Sequence, residues 1–170
     1  MNPTEGKKKK IRLLFVCLGN ICRSPAAEGI MMGLVEKNDL QDLIEVDSAG
    51  TSGWHEGELP DERMRFHGEK RGYDICSRSR KLTKKDLSTF DYILVMDENN
   101  YRTVRAMASN SEEAEKIHLI TDYLVQFRNL HDHIPDPYYG DATGFELVLD
   151  LLEDACEGLL LTIKKEHILI

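Results

Sequence analysis

Apolar residues fall along this chain in two kinds of pattern, short unbroken runs and longer stretches of helical period, and the two kinds alternate. Residues 11–16 form an apolar run stopped by Gly19-Asn20, as expected of a strand buried on both faces. Ser24-Pro25 then predicts a helix start, with Ser24 as N-cap and proline in the first helical position. Ala27, Ile30, Met31, Leu34 and Val35 recur at helical spacing, so this helix should lay one face on the sheet. Residues 43–46, running on into Asp47-Ser48-Ala49-Gly50, read as a second strand that opens into the polar, glycine-rich loop 51–57. Pro60-Asp61-Glu62 starts a helix lasting to about residue 72. Residues 92–96 make a third strand, and Asp97 caps a helix to about residue 108 with Tyr101, Val104 and Ala108 on one side. Residues 117–120 are the fourth strand. After a long loop, Thr143-x-x-Glu146 has the spacing of a capping box and launches an amphipathic helix built on Phe145, Val148, Leu149, Leu152, Cys156, Leu159, Leu160 and Ile163. Strands alternating with helices predict an α/β fold with a parallel sheet of about four strands and right-handed crossovers. In such sheets ligands bind beyond the carboxyl ends of the strands, beside a switch point, which directs attention to the loop after the first strand.

Composition narrows the possibilities. The 170 residues suit one domain, and 41% apolar with 31% charged residues supports a core and excludes disorder beyond the ends. Residues 1–10, with Lys7 to Lys10, read as a disordered basic arm, and residues 11–170 as a single domain. That arm and the run after it resemble a secretory signal superficially, but Arg12 interrupts the run and Arg23 stands where such a signal is uncharged. The net charge of −8 argues against nucleic acid and anionic membrane as partners, and no apolar run approaches the roughly 18 residues that span a bilayer. Four cysteines without a CxxC pair are too few for a disulfide scaffold, so a reducing cytoplasm is expected. His131-x-His133 reads as a polar loop, and no metal site is expected.

The chemistry concentrates in Cys17-Leu18-Gly19-Asn20-Ile21-Cys22-Arg23-Ser24. Four cysteines and ten arginines in 170 residues give about 0.2 chance occurrences of a Cys-x5-Arg spacing, so spacing alone is a weak signal. Position strengthens it. A loop between a strand end and a helix start can curl with its N–H groups inward, and Gly19 and Asn20 tolerate the positive φ that curling needs. Arg23 would complete an anion cradle, because a planar guanidinium holds two phosphate oxygens at once. A free thiol is only a few per cent thiolate at neutral pH. The inward amides, the helix terminus, Arg23 and the Ser24 hydroxyl would all favour the nucleophilic anion at Cys17. The plain alternative is a buried cysteine ending a strand and an arginine in a surface pair.

The segment from Cys17 through Ser24, with Pro25-Ala26-Ala27-Glu28 after it, resembles the active-site signature of the low-molecular-weight protein tyrosine phosphatases. Ser48-Ala49-Gly50-Thr51, Val95-Met96-Asp97 and Asp136-Pro137-Tyr138-Tyr139 are similar to further segments of that family in the same order. The resemblance implies a three-layer fold, a four-stranded parallel sheet of order 2-1-3-4 flanked by helices on both faces (flavodoxin-like or Rossmann-like). It implies hydrolysis of phosphotyrosine in proteins or peptides, and of small aryl phosphates, through a phosphocysteine intermediate. Cys17 would be the nucleophile and Arg23 the phosphate and transition-state ligand. Leu18, Gly19, Asn20, Ile21, Cys22 and Ser24 would make the rest of the phosphate cradle. Asp136, stiffened by prolines on both sides, would be the general acid and then the base. Trp54 and the pair Tyr138 and Tyr139 would wall a slot for an aromatic ring, and the tyrosine pair resembles phosphorylation sites of some family members. Cys22 would be the redox partner that shields Cys17 by a reversible disulfide. No cofactor is implied, since Arg23 and the amides do the work that magnesium does elsewhere. Partners would be phosphotyrosine proteins, and the chain a monomer or weak dimer.

One departure stands out. Many members have a histidine that steadies the cradle asparagine, and here the position is Ser77, which could still hydrogen-bond to Asn20. Two rivals remain at this point: an arsenate reductase on the same fold, for which Cys76 lacks a partner at suitable spacing, and a noncatalytic phosphotyrosine or anion binder.

Overall fold

The computed structural model describes residues 9–168. Most of the basic arm therefore lies outside the described residues; of it, Lys9 and Lys10 are exposed and lead straight into the first strand. Four parallel strands, β1 (Ile11–Cys17), β2 (Ile44–Gly50), β3 (Tyr92–Val95) and β4 (Ile117–Leu119), form one sheet in the order β2-β1-β3-β4. The helices are α1 (Arg23–Lys37), α2 (Glu62–Lys70), α3 (Lys84–Thr89), α4 (Glu98–Met107), α5 (Ser111–Glu115) and α6 (Ala142–Ile163).

The period of two in a strand separates β1 between two cores. Leu13, Phe15 and Cys17 face one side with Ala27, Ile30 and the apolar stripe of α6, including Phe145, Leu149, Leu152 and Leu159. Leu14 and Val16 face the other with Ile93, Val95, Leu87 of α3 and Val104 of α4. Three layers result, as expected. The chain leaves β1 toward β2 on one side and returns to β3 on the other, so the switch point lies between the carboxyl ends of β1 and β3.

Three local expectations fail for physical reasons. Helix α1 begins at Arg23 with Cys22 in the capping position and no side-chain cap, which puts Pro25 at its third residue. The Ser24 hydroxyl is engaged elsewhere, and proline is tolerated anywhere in a first turn, where N–H groups lack intrahelical partners. Arg23 through Met31 are buried all round, because α6 and α2 close over the side the sheet leaves open. The Thr143/Glu146 capping box does not form: Asp141 caps α6 by accepting from the Thr143 N–H at 3.1 Å, while Glu146 pairs with His67 and Arg71 of the neighbouring α2 end. The fourth strand stops at Leu119, and residues 120–123 turn as a 3-10 helix.

Candidate active site

Cys17 is the last residue of β1, in register with Gly50 at the end of β2. From there the chain makes a tight bend whose carbonyls are taken up by neighbouring segments. The Cys17 and Leu18 carbonyls accept from Thr51 N and Ser52 N at 2.9 Å each, the Gly19 carbonyl from Ser79 Oγ at 3.0 Å, and the Ile21 carbonyl from Asp61 N at 2.7 Å. Asn20 supplies the bend, with φ of 55°. Gly19 does not use a positive φ; its bare Cα makes room for the His55 ring, which a Cβ there would meet at 3.1 Å. Gly50 passes under the loop so closely that a Cβ would stand 2.8 Å from the Leu18 oxygen.

Asn20 is buried and satisfied at both ends of its amide. Its nitrogen donates to Ser24 Oγ at 2.7 Å and Ser48 Oγ at 3.0 Å, and its oxygen accepts from the Arg80 N–H at 3.0 Å. Ser77 does not take part: the Asn20 amide is taken up by Ser24, Ser48 and Arg80, and the buried Ser77 hydroxyl turns toward the Glu28 carboxyl instead. The strap that steadies the asparagine lies two and three residues further on, at Ser79 and Arg80. The Arg80 guanidinium is in turn gripped by Asp47 and Asp86, which fixes the backbone that presents its N–H. Cys17 Sγ and Ser24 Oγ lie 3.0 Å apart within this buried network.

Arg23 is buried and points to the same place. Its Nη1 donates to Asp97 Oδ2 at 2.6 Å and to the Ile134 carbonyl at 3.0 Å, and Nη2 faces Asp136 Oδ2 at 3.7 Å. Burial opposes its charge, but Cys17, Asp97 and Asp136 more than compensate and hold the guanidinium above its ordinary range. Burial, with Asp61, Cys17 and Asp136 nearby, pushes the Cys22 thiol up, so Cys22 stays protonated.

A cavity of about 150 Å³ collects these groups: Cys17, Leu18, Gly19, Ile21, Cys22 and Arg23 form its floor, and Trp54, His55, Asp136, Tyr138 and Tyr139 its walls. Of the residues expected from the sequence, only Asn20 and Ser24 are not on the cavity surface; both sit behind the loop and hold it. Sequence reasoning missed His55, Asp97 beyond its role as helix cap, and the Ser79-Arg80 strap. Asp97 was within reach of the topology rule, since it follows β3 across the switch point. Ser79 and Arg80 carry no periodic or motif signal.

A cysteine and a buried arginine at the switch point of a doubly wound sheet, beneath an aromatic-walled cavity, define an α/β protein with a candidate active site at the strand ends. The family model of low molecular weight phosphotyrosine protein phosphatases matches residues 12–168. The low molecular weight protein-tyrosine-phosphatase of Bacillus subtilis is 43% identical over 157 residues, 92% of this chain and 97% of that one. A protein tyrosine phosphatase from Entamoeba histolytica superposes with a TM-score of 0.88 at 42% identity, covering 92% of this chain and 98% of its own. An arginine phosphatase of Drosophila superposes at 0.84 with 34% identity, covering 91% and 98%. The chain belongs to the low molecular weight phosphotyrosine protein phosphatase family.

Proposed function

We propose that the protein hydrolyses phosphotyrosine in proteins and peptides, and small aryl phosphates, through a phosphocysteine intermediate. The observation that carries this reading is that the Cys17 sulfur, the Arg23 guanidinium and the Asp136 carboxylate meet in one cavity with aromatic walls. The Cys17 thiolate attacks phosphorus as the bond to the phenolic oxygen breaks, and Asp136 gives its proton to the departing oxygen. Water then attacks the phosphocysteine, Asp136 takes back a proton, and the phosphorus–sulfur bond breaks to release inorganic phosphate and the thiolate. Arg23, with Nη1 pinned by Asp97 and Ile134, keeps its other N–H groups for the equatorial oxygens. The loop amides add to this stabilisation, because each N–H lies opposite the preceding carbonyl in a trans peptide, and those carbonyls are bound outside the cavity.

The Drosophila relative means that the fold alone does not choose the phosphoamino acid. The reading of tyrosine rests on the family, whose model and Bacillus relative are named for it; Ile21, Trp54, Tyr138 and Tyr139 supply the walls a phenol ring needs, while aromatic faces receive a guanidinium as well. Cys76 lines a different groove with Leu59, Tyr73 and Ile75, away from Cys17, which leaves a reductase relay, with the two further thiols it needs, incomplete. Cys22 shares the cavity floor with Cys17 and is our candidate to resolve it after oxidation: its thiol must first give up the proton that burial favours, and its sulfur then attacks the Cys17 sulfenic acid, forming the disulfide as water leaves. We further infer a cytoplasmic, monomeric or weakly dimeric enzyme acting without metal; among the described residues no helix is long and apolar enough to cross a membrane.

The test is rapid-quench hydrolysis of p-nitrophenyl phosphate. Wild type should release a burst of nitrophenol and accumulate a phosphoenzyme trapped by denaturant quench, and Cys17→Ser should lose both, with turnover down at least ~1000-fold. Turnover that survives the substitution excludes the cysteine mechanism, and binding without turnover in wild type marks a phosphotyrosine binder.

A further inference from the structure

Arg63 lies outside the cavity, yet it joins the two loops that build it. It is the second residue of α2, with its side chain about half exposed. Its Nε and Nη2 fork onto the Asp61 carboxylate at 3.1 and 2.9 Å, and Nη2 also donates to the Tyr138 carbonyl at 2.9 Å. The flat face of the guanidinium rests on Phe145, 4.7 Å from the ring centre, and beside Tyr138 at 5.6 Å. Each neighbour reaches further. Asp61, whose side chain is mostly buried, donates its N–H to the Ile21 carbonyl in the Cys17 loop. The Tyr138 N–H donates to Asp136 Oδ1 at 3.1 Å.

We propose that Arg63 is a positioning residue for the general acid, tying the 134–141 loop to the Cys17 loop through Asp61 so that Asp136 is held over the bound ester. This rests on the reading of Asp136 as the acid. A local Asp-Arg pair with its arginine half exposed, two residues apart, contributes little to stability, so the Asp61 bond by itself gives no reason for an arginine here. The bond to Tyr138 does: it reaches across 75 residues to the middle of a loop whose start is fixed by Ile134, through its N–H to the Met96 carbonyl and its own carbonyl to Arg23. Lysine cannot replace the fork, because one ammonium on a flexible stem does not span a carboxylate and a carbonyl while stacking on a ring. Proton transfer is sensitive to placement on the scale of an ångström. A loosened Asp136 therefore costs most where the leaving group most needs its proton.

Aryl phosphates whose phenols range from acidic (p-nitrophenol) to weakly acidic (phenol) read this directly. Asp136→Asn should slow phenyl phosphate far more than p-nitrophenyl phosphate. In kcat/KM, which reads the ester-cleaving step that the leaving group governs, Arg63→Ala should show the same bias in smaller measure, about 10-fold against less than about 3-fold, with Arg63→Lys in between. In the double variant, Arg63→Ala should add no bias to that of Asp136→Asn. Equal losses on both esters, or a bias that adds in the double variant, overturn the positioning role while leaving the acid in place. Absence of bias in Asp136→Asn removes the acid and the proposal with it. Hydrogen exchange judges the tie without turnover: the amides of residues 138–140 should exchange several-fold faster in Arg63→Ala, and unchanged exchange sinks the proposal.

Discussion

The two halves of this site are built on opposite plans. The loop that follows Cys17 is buried, its carbonyls bonded outward, its asparagine amide satisfied at both ends and a glycine of the next strand pressed beneath it. The loop that carries Asp136 stands in solvent: the Asp136 side chain is 43% exposed and Tyr139 is 93% exposed. The difference is what the proposed mechanism asks of each half. Stabilising an anion requires dipoles already fixed in place, since any reorganisation subtracts from the stabilisation. A proton donor over the mouth of a cavity must let an ester in and a phenol out.

Asn20→Ala strikes the rigid half hardest. It deletes three buried hydrogen bonds worth about 1 kcal/mol each and puts alanine, which tolerates the left-handed region less well than asparagine, at a φ of 55° for roughly another 1 kcal/mol. Together that is about 4 kcal/mol, so kcat/KM should fall at least ~100-fold while circular dichroism still reports the fold. A fall below about tenfold would show that the strap at Ser79 and Arg80 holds the loop without its asparagine.

A subtler effect lies under the same loop. Glu28 of α1 is buried beside Asp47, and burial with that neighbouring charge pushes its carboxyl up to about 7. The folded protein therefore keeps the proton between about pH 4.5 and 7 while the unfolded chain releases it. Stability from this group is complete below that window and lost as pH rises through it, by roughly 3 kcal/mol. Glu28→Gln, neutral at every pH, should abolish this slope and be the more stable protein at about pH 8. Urea unfolding of both proteins at intervals from about pH 5 to about pH 8 measures it; parallel curves would mean that Glu28 is ionised throughout.

How much of this was legible in the sequence divides along the same line. The strands, the long last helix and the Cys17-to-Ser24 signature were readable, because periodicity reports burial and the signature packs its groups into eight consecutive residues. The supports were not. Asn20 is steadied from Ser48, Arg80 and Ser24, which meet only because β2 and the segment before α3 flank the loop, and the position expected to hold a histidine is Ser77, two residues short of the strap. The Ser24 cap and the Thr143/Glu146 box failed for a shared reason: a hydroxyl or carboxyl that satisfies a local motif was claimed by a tertiary partner, Cys17 and Asn20 in one case, His67 and Arg71 in the other.

The solvent-facing half gives the smallest effect, and smallness is the point. Tyr139 meets Tyr138 edge-on at 4.9 Å between ring centres and otherwise projects into water. An exposed side chain that supports no buried group changes stability by less than about 0.5 kcal/mol when truncated. On the proposed reading its contribution is to the bound ring, through an edge-to-face contact worth about 1 kcal/mol at most. Tyr139→Ala should therefore raise KM for a phosphotyrosine peptide about threefold, leave kcat within about twofold, and leave p-nitrophenyl phosphate, a smaller ester with less to touch, almost unaffected. A loss in kcat comparable to that of Asn20→Ala would mean that the exposed loop is as preorganised as the buried one, and the contrast between the two halves would collapse.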